Sequence, residues 1–174
     1  WYRNMIGDCS AEVVSSTVPC STKWMKGTVN SFYIGIIATF IATVLGTMAA
    51  LGLSRPHMPY KALIMSILIS PMIVPLIITA AGMFFFYARI NLVYTFTGVI
   101  LAHVALATPF VVITVTATLV GFDMNMVKAA QSLGAKPMRT FFKVIMPLIL
   151  PGIISGALFA FITSFDEVVI VMFM

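Results

Sequence analysis

Side chains that could carry out chemistry are few in this sequence and lie far apart. His103 is the only histidine within the long apolar stretches, and those stretches contain no Asp, Glu, Lys or Arg. His57 lies in a loop and provides no second ligand at a spacing that would bind a metal. An enzyme would need paired carboxylates, a nucleophile beside a base or a metal cluster, and the sequence supplies none. We therefore expect no catalytic residue and no metal site, and we interpret His103 as a neutral side chain hydrogen-bonded to a neighbouring helix.

Two other chemical possibilities are limited by the sequence. Cys9 and Cys20 both fall in the polar amino-terminal segment, where an oxidising compartment would allow a disulfide; two free thiols fit equally well. No G-x-x-x-x-G-K-S/T phosphate-binding loop occurs, so the chain does not bind ATP by that route. The net charge of +5 is explained by basic loops, and no nucleic-acid binding is inferred from it.

The one substantial polar segment between apolar stretches is residues 123–143, which we name the connector. Asp123 can cap a first short helix, Gly134 can take the left-handed conformation that ends it, and Pro137 fits the first turn of a second. Small and apolar residues on this helix–turn–helix suit a groove on a soluble partner. Four basic residues equally suit an amphipathic element that lies on lipid headgroups, and spacing alone does not separate the two interpretations.

The elements that must position these residues are membrane helices. Hydrophobic residues make up 61% of the 174 positions and charged residues 9%, whereas about a quarter of a soluble domain is charged. Uncharged stretches at residues 32–53, 62–88, 92–122 and 144–165 are each long enough to cross about 30 Å of hydrocarbon. The sequence predicts an all-α, polytopic transmembrane helix bundle over residues 28–174, preceded by an external polar segment at residues 1–27.

Basic residues also predict the orientation of the bundle. Lys and Arg concentrate in the loop before residue 62 and in the connector, which places both in the cytoplasm and both chain ends outside; Lys23 and Lys26 oppose this assignment. A fifth apolar run at residues 168–174 is too short to span. We expect a natural protein of about six helices, of which four to five are present.

Small residues predict where the helices pack, and prolines predict where they bend. Ala38, Ala42, Gly46 and Ala50 share one helical face, which predicts close contact with another helix, although small residues are common in membranes. Prolines interrupt the later stretches and predict kinks that suit a protein that changes shape, or reflect ordinary membrane composition. These prolines are Pro71, Pro75, Pro109, Pro147 and Pro151.

The connector and the residues after it resemble the signature loop of permeases in binding-protein-dependent ABC importers. The family pattern is Glu-Ala-Ala, a fixed Gly, then Phe, Val and a Pro-Leu-x-x-Pro-Gly run. The matching residues are Ala129-Ala130-Gln131-Ser132-Leu133-Gly134-Ala135, Phe141, Val144, Pro147-Leu148 and Pro151-Gly152-Ile153. Lys128 departs from the pattern, because it stands where the family has glutamate.

This resemblance implies the MetI-like permease fold and an assembly in which different chains form the solute pathway and bind ATP. The chain would be a non-enzymatic, multi-pass subunit of the bacterial inner (plasma) membrane that forms the solute pathway, with ATP and Mg bound only by a partner. Its partners would be two ATP-binding subunits, a second permease subunit and an external, periplasmic solute-binding protein. The residues implied to contact the ATPase are Lys128, Ala129, Ala130, Gly134, Ala135 and Phe141.

The resemblance also suggests a substrate. Ser164-Phe165-Asp166-Glu167-Val168-Val169-Ile170 resembles the spermidine and putrescine type of permease, and the carboxylates of Asp166 and Glu167 at an external vestibule would attract a polycation. Alternatives are a permease for another small solute, such as an inorganic anion or iron, or a gradient-driven secondary transporter. The latter would predict charged span interiors or an inverted repeat, and neither is visible.

Overall fold

The computed structural model describes residues 23–55, 58–121 and 125–174, and these residues form helices without any strand. The predictions for Cys9, Cys20, His57 and Asp123 lie outside the described residues. Within the described part the helices are α1 (Lys23–Leu53), α2 (Lys61–Ile73), α3 (Leu76–Arg89), α4 (Phe96–Val120), α5 (Asn125–Ser132), α6 (Pro137–Thr140), a π-helical turn (Phe141–Ile145), α7 (Met146–Asp166) and α8 (Val169–Phe173). This architecture confirms the all-α prediction.

Among the described residues, three helices are long and apolar enough to cross a membrane, and their bounds differ from the predicted stretches. They are Met25–Leu53, Phe96–Val120 and Pro137–Asp166. The helix that contains the predicted stretch at residues 144–165 begins earlier, at Pro137, and continues for 30 residues, about 45 Å. The second half of the connector is therefore the first turns of a spanning helix.

The predicted span at residues 62–88 is broken into two helices. The axes of α2 and α3 differ by 104°, and α2 has only 13 residues, about 20 Å, so it does not cross the hydrocarbon alone. The break has a local cause: Pro75 lacks an N–H and restricts Val74, which is extended at φ −74° and ψ 135°. Pro71, Pro109 and Pro151 lie inside continuous helices. Of these four prolines, Pro75 is the one that lies at a break between helices.

The core of the bundle is α4, which packs against both α1 and α7. The predicted small-residue face of α1 is confirmed, because Ala38, Ala42 and Ala50 are fully buried. A Cβ atom added at Gly46 would lie 2.7 Å from the Cβ of Val111, so the two backbones approach too closely for any side chain there. Helix α4 begins at a capped end, where Thr95 Oγ1 accepts a hydrogen bond from the Gly98 N–H at 3.1 Å.

A second apolar cluster joins α3, α4 and α8. Its members are Ala80, Tyr87, Ala102, Leu106, Ile170 and Met174. The Tyr94 N–H also donates to the Met174 carbonyl oxygen at 2.7 Å, which fixes the last residues of the chain against the turn before α4. The short carboxyl-terminal run is therefore a packed helix beside the spanning helices.

Candidate functional site

The first half of the connector is α5, which ends in a tight turn at Gly134. Gly134 has φ +78°, in the left-handed region that favours glycine. Its N–H donates to the Gln131 carbonyl oxygen at 2.9 Å, and the Ala135 N–H donates to the Ala130 carbonyl oxygen at 3.1 Å. These two bonds define a Schellman motif, which satisfies carbonyl groups at the end of the helix. The predicted helix-ending role of Gly134 is confirmed.

The second half of the connector is the start of the long helix. Lys136 is extended at ψ 151°, and Pro137 occupies the first turn of α6, where its missing N–H costs nothing. The Thr140 N–H donates to the Lys136 carbonyl oxygen at 3.0 Å. The prediction that Pro137 starts a helix is confirmed, while the separate second short helix is replaced by direct continuation into α7.

A π-helical turn joins α6 to α7. The Met146 N–H bonds the carbonyl oxygen of Phe141, five residues earlier. Pro147 follows directly; it has no N–H, and its ring crowds the carbonyl of Lys143, which favours a wider turn before it. The Phe141 and Phe142 rings pack edge to face within this turn, with centroids 5.2 Å apart. The connector is thus linked to α7 by continuous helix that contains one locally wide turn.

The predicted contact residues divide into two groups by exposure. Lys128, Ala129 and Gly134 are exposed, whereas Ala130, Ala135 and Phe141 are half-buried within the connector's own fold. Large apolar side chains are exposed on the same segment: Met126 is 52% exposed, Leu133 88%, Met138 70% and Phe142 56%. The structure brings all six predicted residues into one protruding segment, and their contact with a partner stays a prediction.

The predicted vestibule residues lie at the other end of the same long helix. Asp166 is the last residue of α7 and is exposed, while Glu167 is half-buried. The Oε1 atom of Glu167 accepts a hydrogen bond from the Ile170 N–H at 3.0 Å and so caps α8. Both residues border an open pocket of about 340 Å³, whose other lining residues are Leu76, Ile162, Thr163, Val168 and Val169.

The face by which α7 packs on α4 was not predicted from the sequence. Gly152, Gly156, Ala160 and Ser164 recur at every fourth position and are all buried. A Cβ added at Gly156 would lie 2.5 Å from Thr114 Oγ1. The same four-residue spacing of small residues that identified the packed face of α1 would have found this one.

His103 lies at this helix contact and makes the kind of interaction that the sequence predicted. Its Nδ1 atom is 2.7 Å from Ser164 Oγ across the α4–α7 interface, and the imidazole is 2% exposed. The side chain therefore joins two helices inside the bundle and does not line a groove.

Comparison with known proteins gives one family. A family model described as "Binding-protein-dependent transport system inner membrane component" matches residues 42–174. A spermidine/putrescine transport system permease protein of Haemophilus influenzae is 32% identical over 146 residues, which cover 84% of this chain and 57% of that protein. The permease protein of the same description in Escherichia coli is 28% identical over 160 residues, covering 86% of this chain and 61% of that protein.

Relatives with another substrate in their description are equally similar. A trehalose transport system permease protein of Mycobacterium tuberculosis is 34% identical over 142 residues, covering 82% of this chain and 52% of that protein. The chain spans about half to three fifths of the length of these curated relatives.

Proposed function

Because this chain belongs to the family of binding-protein-dependent transport system inner membrane components, we propose that it is the permease subunit of an ATP-driven importer. It forms part of the solute pathway and couples to a separate ATPase. The family consists of membrane permease components of transport systems and not of enzymes. The predicted family is therefore confirmed, and the activity, substrate and partners of the whole protein are the subject of this proposal.

The observation that carries the coupling role is the Schellman turn at Gly134. It ends α5 abruptly and leaves Leu133 88% exposed at the tip of the connector. An apolar side chain presented on a rigid helical end is an anchor that suits a groove in a soluble partner. We take this tip as the contact with the ATPase.

The continuous helix from Pro137 to Asp166 supports a mechanism for coupling. Because no flexible loop separates the connector from α7, a displacement of the connector also moves α7. Helix α7 packs closely on α4 at Gly152 and Gly156. ATP acts through this helix only if the nucleotide-bound ATPase holds one position of the connector more tightly than another. Movement of α7 against α4 then changes access to the pathway.

The opposite end of the same helix supports a polyamine as the solute. Asp166 and Glu167 lie about 45 Å along the helix from Pro137, and so at the opposite membrane surface. Carboxylates there attract polycations such as spermidine and putrescine electrostatically. A neutral sugar is the second candidate, because a relative described as a trehalose permease is as similar to this chain as the polyamine permeases are.

The remaining parts of the proposal follow from the importer role. The chain sits in the bacterial inner membrane, pairs with a second permease subunit and receives solute from an external binding protein. Two ATP-binding subunits at the cytoplasmic surface bind ATP and Mg. No cofactor is assigned to this chain.

The test is co-purification of the full-length permease in nanodiscs with a candidate ATP-binding subunit. We compare the wild type with Gly134→Val and with Gly82→Val, which inserts the same side chain at an exposed helical glycine with nothing within 4 Å. Association that is lost in Gly134→Val and kept in Gly82→Val supports the proposal. If the wild type binds no ATPase under conditions where a known importer assembles, the proposal fails and a gradient-driven transporter becomes the better hypothesis.

A further inference from the structure

The break between α2 and α3 lies at membrane depth. Helix α2 begins at the charged Lys61 and has 13 residues, so the break at Val74 and Pro75 is at most about 20 Å from that end. The hydrocarbon layer is about 30 Å thick. Because the axes of the two helices differ by 104°, the pair extends at most about 25 Å in any one direction. The turn between them is therefore inside the membrane.

The break leaves main-chain carbonyl groups without hydrogen-bond donors. Pro71 and Pro75 each lack the N–H that would bond the carbonyl oxygen four residues earlier. The Ile67 carbonyl, which faces Pro71, is satisfied because the Ser70 hydroxyl donates to it at 2.8 Å. No described residue donates in this way to the Pro71 carbonyl, which faces Pro75, or to the carbonyls of the two residues that follow it. The first proline is thus compensated within the chain, and the second is not.

Lipid cannot supply the missing donors. Backbone that is not helical occurs at membrane depth only where protein covers it or water reaches it, because an unpaired polar group in hydrocarbon costs several kcal/mol. The described residues leave the break uncovered, since Ile73 is 76% exposed and Val74 is 40% exposed. Either water or another chain must therefore bond the free carbonyls.

The pocket beside the break favours water. Leu76, the first residue of α3, borders the open pocket of about 340 Å³ that is also lined by Thr163, Asp166 and Glu167. A space of this size with a hydroxyl and two carboxylates at its wall holds several water molecules. These waters reach the start of α3 and can donate hydrogen bonds to the carboxyl end of α2.

Resting on the proposed function, we infer that the break between α2 and α3 lines the water-filled solute pathway, with the carbonyl oxygens at the carboxyl end of α2 exposed to water. These oxygens only accept hydrogen bonds, as do the ionised carboxylates nearby. This part of the pathway therefore presents acceptors to a solute that carries donors, such as ammonium or hydroxyl groups.

The test compares the hydration of two valine positions in the full-length permease. Val74→Cys at the break and Val44→Cys in the continuous α1 are matched, since these valines are 40% and 43% exposed. Every native cysteine, including Cys9 and Cys20, is first replaced by serine. A charged methanethiosulfonate reagent attacks as the thiolate forms, which happens in water and not in lipid.

We expect the reagent to modify Val74→Cys at least about tenfold faster than Val44→Cys in nanodiscs, where both membrane surfaces are accessible. Modification should also stop uptake by the Val74→Cys importer in proteoliposomes, measured with spermidine and with trehalose. Ile73→Cys repeats both measurements if Val74→Cys does not assemble.

Two outcomes overturn the inference. Equally slow modification of both thiols, when both react fully after denaturation, means that lipid or another chain covers the break. Fast modification of Val74→Cys without loss of uptake places this water outside the solute pathway. Either result leaves the permease proposal intact as long as the ATP-binding subunit binds, whereas absence of wild-type binding rejects that proposal whatever the rates of modification.

Discussion

His103 Nδ1 and Ser164 Oγ, 2.7 Å apart, form a buried polar contact between α4 and α7. Both side chains are almost fully buried, at 2% and 5% exposure, and they lie where α7 presents small residues to α4. Close approach of the two backbones is what brings a side chain as short as serine within reach of the imidazole. The hydrogen bond and the small-residue packing are therefore one structural feature.

Replacement of Ser164 by alanine should destabilise the bundle. The imidazole would keep its buried Nδ1 without a partner, and hydrogen bonds between membrane helices contribute about 0.6 to 2 kcal/mol. We expect the free energy of unfolding to fall by about 1 kcal/mol. Circular dichroism during denaturation in mixed micelles measures this change. Ser155→Ala, at an exposed position on the same helix, is the control. Equal stability of the two variants would show that the contact contributes nothing.

Replacement of Gly156 by alanine tests the packing itself. The new Cβ would lie 2.5 Å from Thr114 Oγ1 and 3.0 Å from the Cα of Val111, so a backbone must move. Overpacking of this kind costs about 1 to 3 kcal/mol. Gly82→Ala is the matched control, because its Cβ meets nothing within 4 Å and alanine favours a helix. The same denaturation experiment measures both, and a neutral Gly156→Ala would mean that α4 and α7 are not held at this distance.

The sequence predicted the helical class, the packed face of α1 and the turn at Gly134 because each depends on local rules. Apolar stretches long enough to cross a bilayer predicted the helical class. Small residues four positions apart predicted the packed face of α1, and a glycine with a proline three residues later predicted the turn. Prolines were less informative. Pro75 lies at a break between helices, while Pro71 in the exposed α2 and Pro109 in the buried α4 lie inside helices, so neither the residue type nor its burial distinguishes the outcomes.

Two other features depend on contacts that spacing does not reveal. The connector looked like a separate helix–turn–helix because its charges contrast with the apolar stretch that follows, yet backbone hydrogen bonding continues from Pro137 through the π turn into α7. The role of Glu167 as the cap of α8 was also not predicted, since an adjacent pair of carboxylates gives no sign that one of them bonds the backbone. The small-residue face of α7, in contrast, could have been predicted from the four-residue spacing of its small residues.

Substitution of Gly134 by asparagine should be tolerated better than substitution by valine. The space around Gly134 is open, so the cost arises only from φ +78°, and asparagine adopts this conformation more readily than a β-branched residue. We expect ATPase binding about tenfold weaker in Gly134→Val, and close to the wild type in Gly134→Asn. Titration of the ATP-binding subunit onto nanodisc-bound permease gives the dissociation constant of each variant. If asparagine impairs binding as much as valine does, a side chain at this position blocks the groove, and backbone conformation is not the cause.

Neutralisation of the two carboxylates at the far end of α7 distinguishes a polycationic solute from a neutral one. Asp166→Asn and Glu167→Gln each remove one negative charge with little change in size, and glutamine keeps an oxygen that can accept the Ile170 N–H. Weaker attraction of a polyamine should raise the KM of spermidine uptake about threefold or more at low ionic strength, with the difference shrinking as salt is added. Uptake is measured in proteoliposomes that contain the assembled importer, with trehalose as the neutral comparison. Spermidine uptake that is insensitive to both substitutions removes these residues from the pathway entrance, and trehalose uptake by the wild type without spermidine uptake assigns the importer to sugars.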